Sequence, residues 1–170
     1  MKICPAASGE EIKMPLLAAR CLLSSSYAYE KHRNVHEKLL SQMKRDDLHL
    51  LIRNDNLILL YGAVEMESKD ETRYTDIRYS LRCLARLVQE YQKHDMNSRA
   101  SDLVFCKNFE NVLCAAKSLT GYRDSRDIDV LNTFCKYGYC LRTLALVVRG
   151  VALKERDEEK KNECRDFLEL

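Results

Sequence analysis

The chain has 170 residues, 46% of them apolar and 32% charged, which suffices for one domain with a buried core and a well-solvated surface. Its formal net charge of +2 gives no overall field that would indicate a nucleic-acid partner, so any DNA contact requires a local basic patch. No stretch reaches the roughly 20 apolar residues of a membrane span. The apolar run 16–23 is interrupted by Arg20 and preceded by Glu10 and Glu11, which is not the pattern of a signal peptide, so we expect an intracellular protein that is not secreted.

Glycine and proline are scarce, at 5 and 2 residues, and both prolines precede residue 16. Because the turns of sheets draw on these residues, we predict an all-α fold, an irregular or orthogonal bundle of about five to seven helices. Residues 1–33 are predicted to be a loosely ordered N-terminal arm. Residues 34–170 are predicted to be a single helical domain, truncated at the C-terminus because its last helix ends without a cap.

The first helices of the domain are predicted from capping residues. Asn34 is predicted to cap a helix, with Glu37 three residues later as its capping-box partner. Asp46 and Asp47 are predicted to begin a second, short helix, since negative charge is favourable at the positive end of the helix dipole.

The middle of the chain is predicted to hold two short helices and one long one. The segment 46–67 is expected to break near 53–56, because Arg-Asn-Asp-Asn is poor helix interior and Asn54 or Asp55 can recap the chain. The clearest helix is predicted near 72–93, where apolar residues recur at steps of three and four. We expect this helix to be the structural centre.

A loop is predicted for 94–101, followed by a helix that begins near Phe109 and ends at Gly121, a C-terminal cap. Another long helix is predicted for 127–149. Gly138 in its interior costs about 1 kcal/mol relative to alanine, and we interpret it as a kink or a close helix crossing. The last segment, 157–170, is charged first and apolar late.

Most of the eight cysteines lie within apolar helical patterns and are predicted to be buried, reduced and unpaired. Cys83 and Cys114 are examples. Cys135 and Cys140 would lie about 140° apart around a helix, so they are predicted to be core thiols rather than a redox pair.

The histidines give no complete metal or catalytic motif. His32 and His36 are four residues apart and could share a metal, but a structural zinc site needs about four ligands and no Cys-x-x-Cys pair occurs. We interpret them as two exposed histidines near a helix start and expect no metal and no cofactor. Without a nucleophile–base arrangement or a glycine-rich phosphate loop, we predict that the chain is not an enzyme.

Basic residues recur on two predicted helices at spacings that suit DNA phosphates, because guanidinium groups bind phosphate oxygens in pairs. The alternative is a solvated face in which Arg86 pairs with Glu90. The candidate DNA contacts are Arg78, Arg82, Arg86 and Lys93 in one row and Arg142 and Arg149 in a second.

Several short stretches follow one another in order between residues 34 and 170. They are RDDL at 45–48, IRNDNLI at 52–58, YG at 61–62, LRCLARL at 81–87, FENV at 109–112, GVAL at 150–153 and CRDFLEL at 164–170. This order resembles animal transposon-derived proteins of the Crypton-like tyrosine-recombinase type. The resemblance rests on a pattern of helices and not on a motif with chemistry.

In that family the region lies upstream of the recombinase catalytic domain, and tyrosine recombinases use a helical domain to clamp DNA. The catalytic part carries a nucleophilic tyrosine, two arginines and a His-x-x-Arg motif, which this sequence lacks, since His49 is followed by arginine only at the fourth position. The resemblance implies a nuclear, non-enzymatic domain that contacts the DNA backbone. The alternative is a helical protein-interaction module without nucleic-acid binding, and the oligomeric state is left open.

Overall fold

The computed structural model describes residues 30–122 and 128–170. These residues form seven α-helices and four short 3-10 helices, with no strand among them, so the predicted all-α class is confirmed. Most of the predicted N-terminal arm, residues 1–29, lies outside the described residues.

The helices follow one another with short connections. The 3-10 helices are Leu40–Gln42, Glu71–Arg73, Ala100–Val104 and Cys106–Asn108. The α-helices are α1 Arg33–Lys38, α2 Asp47–Asn54, α3 Asn56–Ser68, α4 Tyr74–Tyr91, α5 Phe109–Thr120, α6 Ile128–Glu155 and α7 Glu158–Glu169.

Two aspartates set the break between α2 and α3, as predicted. The Asp46 carboxylate accepts a hydrogen bond from the His49 backbone N–H at 3.1 Å and caps α2. The Asp55 carboxylate accepts from the N–H groups of Leu57 and Ile58, at 2.9 and 3.1 Å, and caps α3. Each bond satisfies an N–H group that the helix itself cannot pair.

The predicted cap at Asn34 is wrong, because Asn34 lies inside α1 and the N-cap is His32, which forms no side-chain capping bond. Glu37 instead accepts a hydrogen bond from Arg33 at 2.8 Å. The helical turn extends back to His32 because this places His32 and Val35 on the buried side, 4% and 1% exposed. Burial here overrides local capping preference.

Helix α4 is the structural centre, as predicted. Half of its 18 residues are buried, and it packs against α2, α3, α5 and α6. Its inward side carries Ile77, Leu81, Leu84 and Val88, which are at most 1% exposed. Helix α7 packs against α6 across a two-residue connection and places Phe167 edge-on to Phe109 of α5.

Glycine positions show where helices approach closely. A Cβ atom on Gly62 would lie 3.3 Å from Cγ1 of Val35, so α1 and α3 meet at this position. Gly138 is exposed, and an added Cβ would have no neighbour within 4 Å, so the predicted close crossing there is wrong. Gly121 does end α5, with φ at +69°, as its predicted role as a C-terminal cap requires.

None of the helices in the two described ranges combines the length and apolar content that crossing a membrane requires.

Candidate functional site

The three predicted arginines of α4 lie on one side of the helix, and Arg78 and Arg82 form hydrogen bonds with other parts of the fold. Arg78 is half-buried and donates hydrogen bonds to Thr75, at 2.8 Å, and to the side-chain amide of Gln42. These contacts join α4 to the 3-10 helix after α1.

Arg82 forms the strongest of these contacts, a two-pronged pair with Asp46. Its two terminal nitrogens lie 3.2 and 2.6 Å from the two carboxylate oxygens. The hydrogen bonds from Arg82 lower the pKa of the Asp46 carboxyl, and the His49 N–H adds to that effect. Because Asp46 caps α2, this pair joins the start of α2 to the middle of α4.

Arg86 does not pair with Glu90, so that alternative is wrong. Burial raises the pKa of Tyr137 on α6 to about 12, and the positive charge of Arg86 partly opposes the rise. Glu90 instead accepts from Ser118 of α5 at 2.9 Å and pairs with Lys93 at 2.6 Å. Lys93 lies two residues beyond the end of α4 rather than on the helix.

The second predicted row lies on α6. Arg142 is exposed and Arg149 is half-buried. Neither side chain forms a hydrogen bond or an ion pair with any residue that the structure describes. The structure therefore does not bring the six basic positions together in one free patch, because Arg78, Arg82 and Lys93 are bonded to other side chains of the protein.

The histidines predicted to be exposed are buried. His32 and His36 are 4% and 8% exposed, and His49 of α2 is 7% exposed. Burial lowers the pKa of all three, and for His36 the positive charge of Arg53 adds to the effect. Within the described ranges, no group of three or more His, Cys, Asp or Glu side chains is arranged to hold a metal ion.

The six described cysteines are unpaired, but only half of them are buried. Cys83, Cys140 and Cys164 are buried, whereas Cys114 and Cys135 are exposed. Core positions for the last two were therefore predicted wrongly, because each lies on the outward side of its amphipathic helix. Cys4 and Cys21 lie outside the described residues.

The outer face of α6 carries a row of mostly exposed positions, five of them large apolar side chains, that sequence reasoning missed. Its positions recur at steps of three and four along the helix and lie within about 100° of one another around the axis. We call this set the outer stripe: Ile128, Leu131, Cys135, Tyr139, Arg142, Leu146, Gly150 and Leu153.

The outer stripe is largely open to solvent. Its large apolar side chains are between 44% and 71% exposed, with Ile128 and Tyr139 at the upper end. The opposite side of α6 is buried against the core through Tyr137, Cys140 and Leu144. The sequence does contain a signal for the outer stripe, because apolar residues recur at helical spacing on two faces of α6. A single core can cover only one of these faces.

A groove lies between α2, α3 and the segment 92–101. Asn54, Asp55 and Ser98 line it, and none of the described residues in its lining is a histidine. The Asp55 carboxylate is already bonded to the N–H of Ala100, at 3.2 Å, besides the two N–H groups of α3. This carboxylate therefore has a structural task.

Comparisons with protein-family models, with curated proteins and with solved structures found no match to this chain. The resemblance to Crypton-like recombinase proteins therefore stays a prediction. The outer stripe of α6 is the surface on which the proposed function is based.

Proposed function

We propose that the chain is a non-enzymatic helical protein-interaction module that binds an apolar helix of another polypeptide on the outer stripe of α6. The observation that carries the proposal is the exposure of five large apolar side chains along one face of a 28-residue helix. Scattered single apolar residues on a surface are ordinary, but several large ones along one helix face are typical of an interaction site.

The basic positions of α4 support this choice over DNA as the first function. A guanidinium group that already holds a carboxylate, a hydroxyl or an amide must give up that partner before it can bind phosphate. Arg82 would have to leave Asp46, and Arg78 would have to leave Gln42 and Thr75. Both exchanges would also loosen contacts between α4 and its neighbours.

The test places a photoreactive residue in the stripe of the full-length chain, expressed in living cells. Leu146→p-benzoylphenylalanine is expected to give an adduct with a second polypeptide, identified by mass spectrometry. The control is Met96→p-benzoylphenylalanine, because Met96 is 87% exposed and lies outside the helices. Equal labelling at both positions, or no adduct at 146, would contradict the proposal.

DNA backbone contact is the second candidate, favoured by Arg142 and Arg149, which lack an acidic partner in the described part of the chain. Phosphate contacts release counterions, so affinity for duplex DNA would fall steeply as salt rises. Arg142→Ala with Arg149→Ala should then weaken binding and flatten its salt dependence, measured by fluorescence anisotropy. Absence of binding by the parent chain at low salt would eliminate this candidate.

A further inference from the structure

We propose that the polypeptide bound by the outer stripe is a second copy of this chain, with the two α6 helices packed antiparallel about a twofold axis between Tyr139 and Arg142. This inference rests on the proposed function and names its partner. It follows from the spacing, the charge and the exposed area of the stripe.

The steps between successive positions of the outer stripe form the same series from either end of the helix. From Ile128 to Leu153 its successive steps are 3, 4, 4, 3, 4, 4 and 3 residues. When two such helices run antiparallel, every stripe position therefore meets a stripe position of the other copy. A closed twofold interface needs this self-complementarity, because the same patch must serve on both sides.

The antiparallel pairing also matches side chains by size. Ile128 would meet Leu153 at each end of the interface, and Cys135 would meet Leu146. Leu131 would meet Gly150, where an added Cβ has no neighbour within 4 Å in the isolated chain. A leucine opposite a glycine lets two helix backbones approach closely, as large residues packed against small ones do in helix interfaces.

The charge of Arg142 favours an antiparallel arrangement of the two α6 helices over a parallel one. Arg142 is the charged member of the stripe, and in a parallel pair it would face Arg142 of the other copy. In the antiparallel pair it faces Tyr139, whose ring is 70% exposed and can accept a guanidinium over its face. Two such contacts would flank the axis, and each would place a guanidinium against an aromatic ring.

The exposed apolar area of the outer stripe is about three quarters of what a standard interface buries per partner. Side chains of this size offer on the order of 150–250 Å² each when fully exposed, so the five large apolar members present about 600 Å² per copy. A standard interface buries about 800 Å² per partner, and the polar residues beside the stripe would supply the rest. The 28 residues of α6 provide a contact line of about 42 Å.

The first test is the mass of the full-length chain in solution, measured by sedimentation equilibrium over a range of concentrations. The parent is expected to be a dimer, and Leu146→Glu should raise the dissociation constant by at least about 100-fold, because it places two carboxylates in an apolar interface. Met96→Glu, a change at an exposed residue away from α6, should leave the dimer intact. Leu153→Glu provides a second disrupting variant if Leu146→Glu loses helical circular dichroism.

The second test determines whether the two α6 helices are antiparallel or parallel. Under a mild oxidant, Leu146→Cys should form a disulfide with Cys135 of the other copy, found as a linked peptide pair by mass spectrometry. The same variant with Cys135→Ser should lose that linked pair. A Cys135–Cys135 link in the parent chain would indicate parallel helices and overturn the antiparallel arrangement.

Failure of this inference can be distinguished from failure of the proposed function. A parent chain that is monomeric at all concentrations overturns the second copy as partner, and an adduct at position 146 to a different protein would then leave the interaction module standing. An adduct between position 146 and residues 14–23 of the same chain would overturn both, because the apolar stripe would be covered from within.

Discussion

At the residue scale, Asp46 serves two structural purposes with one carboxylate. It caps α2 through the His49 N–H and receives both terminal nitrogens of Arg82 from α4. Both partners are mostly buried, with side chains 21% and 26% exposed, so solvent screens this pair less than an ion pair on an open surface. A planar guanidinium suits such pairing better than a lysine ammonium would.

We therefore expect Arg82→Ala to lower the free energy of unfolding by about 1–2 kcal/mol, since it leaves a half-buried carboxylate without its charged partner. Arg78→Ala removes only hydrogen bonds to neutral side chains and should cost less than about 1 kcal/mol. Urea denaturation of both variants measures the difference. Equal losses in the two variants would show that the carboxylate pair has no special role.

The thiols provide a second prediction at this scale. Burial raises the pKa of Cys83 and Cys164, and raises that of Cys140 to about 11, so these sulfurs stay protonated and enclosed at neutral pH. Because the thiolate is the reactive form, they should react with iodoacetamide on the order of 100-fold more slowly than exposed Cys114. Peptide mass spectrometry after timed labelling measures each rate, and rapid labelling of Cys140 in the native protein would contradict the described packing.

At the element scale, α1 and α3 approach each other closely at Gly62. An alanine Cβ there would lie 3.3 Å from Val35 and 3.5 Å from Leu81, both of which are buried. Val35 is β-branched and has one preferred rotamer in a helix, so it has little freedom to move away. Gly138 on α6 has no such neighbour.

Gly62→Ala should therefore destabilise the protein by about 1 kcal/mol or more despite alanine's higher helix propensity, because overpacking outweighs that gain. Gly138→Ala should stabilise it by about 0.5–1 kcal/mol, since only the propensity changes. Chemical denaturation of the two variants measures whether each substitution raises or lowers the free energy of unfolding. A stabilising Gly62→Ala would show that α1 can shift away from α3 at little cost.

Element boundaries could be predicted where local chemistry decides them. Asp46, Asp55 and Gly121 act on backbone groups within a few residues, and the sequence reveals each of them. The predictions failed where distant parts of the chain meet. Arg82 pairs with Asp46, which lies 36 residues earlier in the chain. Asn34 does not act as the predicted cap, because tertiary burial decides where α1 begins. Neither contact leaves a periodic signal in the sequence.

The candidate site was harder to predict than the fold. The spacing of Arg78, Arg82 and Arg86 correctly placed them on one side of α4, but spacing does not reveal which polar groups lie opposite. The outer stripe was missed because the core side of α6 already explains a helical apolar period, and the second face appears only once the buried positions are known.

At the scale of the whole molecule, three buried histidines lie in and beside the helices that begin the described chain. The Leu40 backbone favours the charged form of His49, but burial and the charge of Arg53 outweigh this and lower the pKa of His49. The other charged neighbours are few: Lys31 acts on His32, while Asp46 and Arg45 act on His49 from the start of α2. These histidines are therefore neutral in the folded state at neutral pH.

Acid should unfold the protein through these histidines. Their folded pKa lies below the ordinary 6.5, so between the two values the unfolded chain binds more protons than the folded one. Stability is then complete above about pH 6.5 and falls as the pH decreases towards the folded pKa, by up to about 1.4 kcal/mol per pH unit for each histidine.

Urea denaturation between pH 7.5 and 5.0 should show this loss. His36→Gln should flatten the slope, whereas His94→Gln, at an exposed histidine, should leave it unchanged. A slope that is the same in both variants would mean that His36 takes no part, and stability that rises on acidification would contradict the lowered pKa of all three.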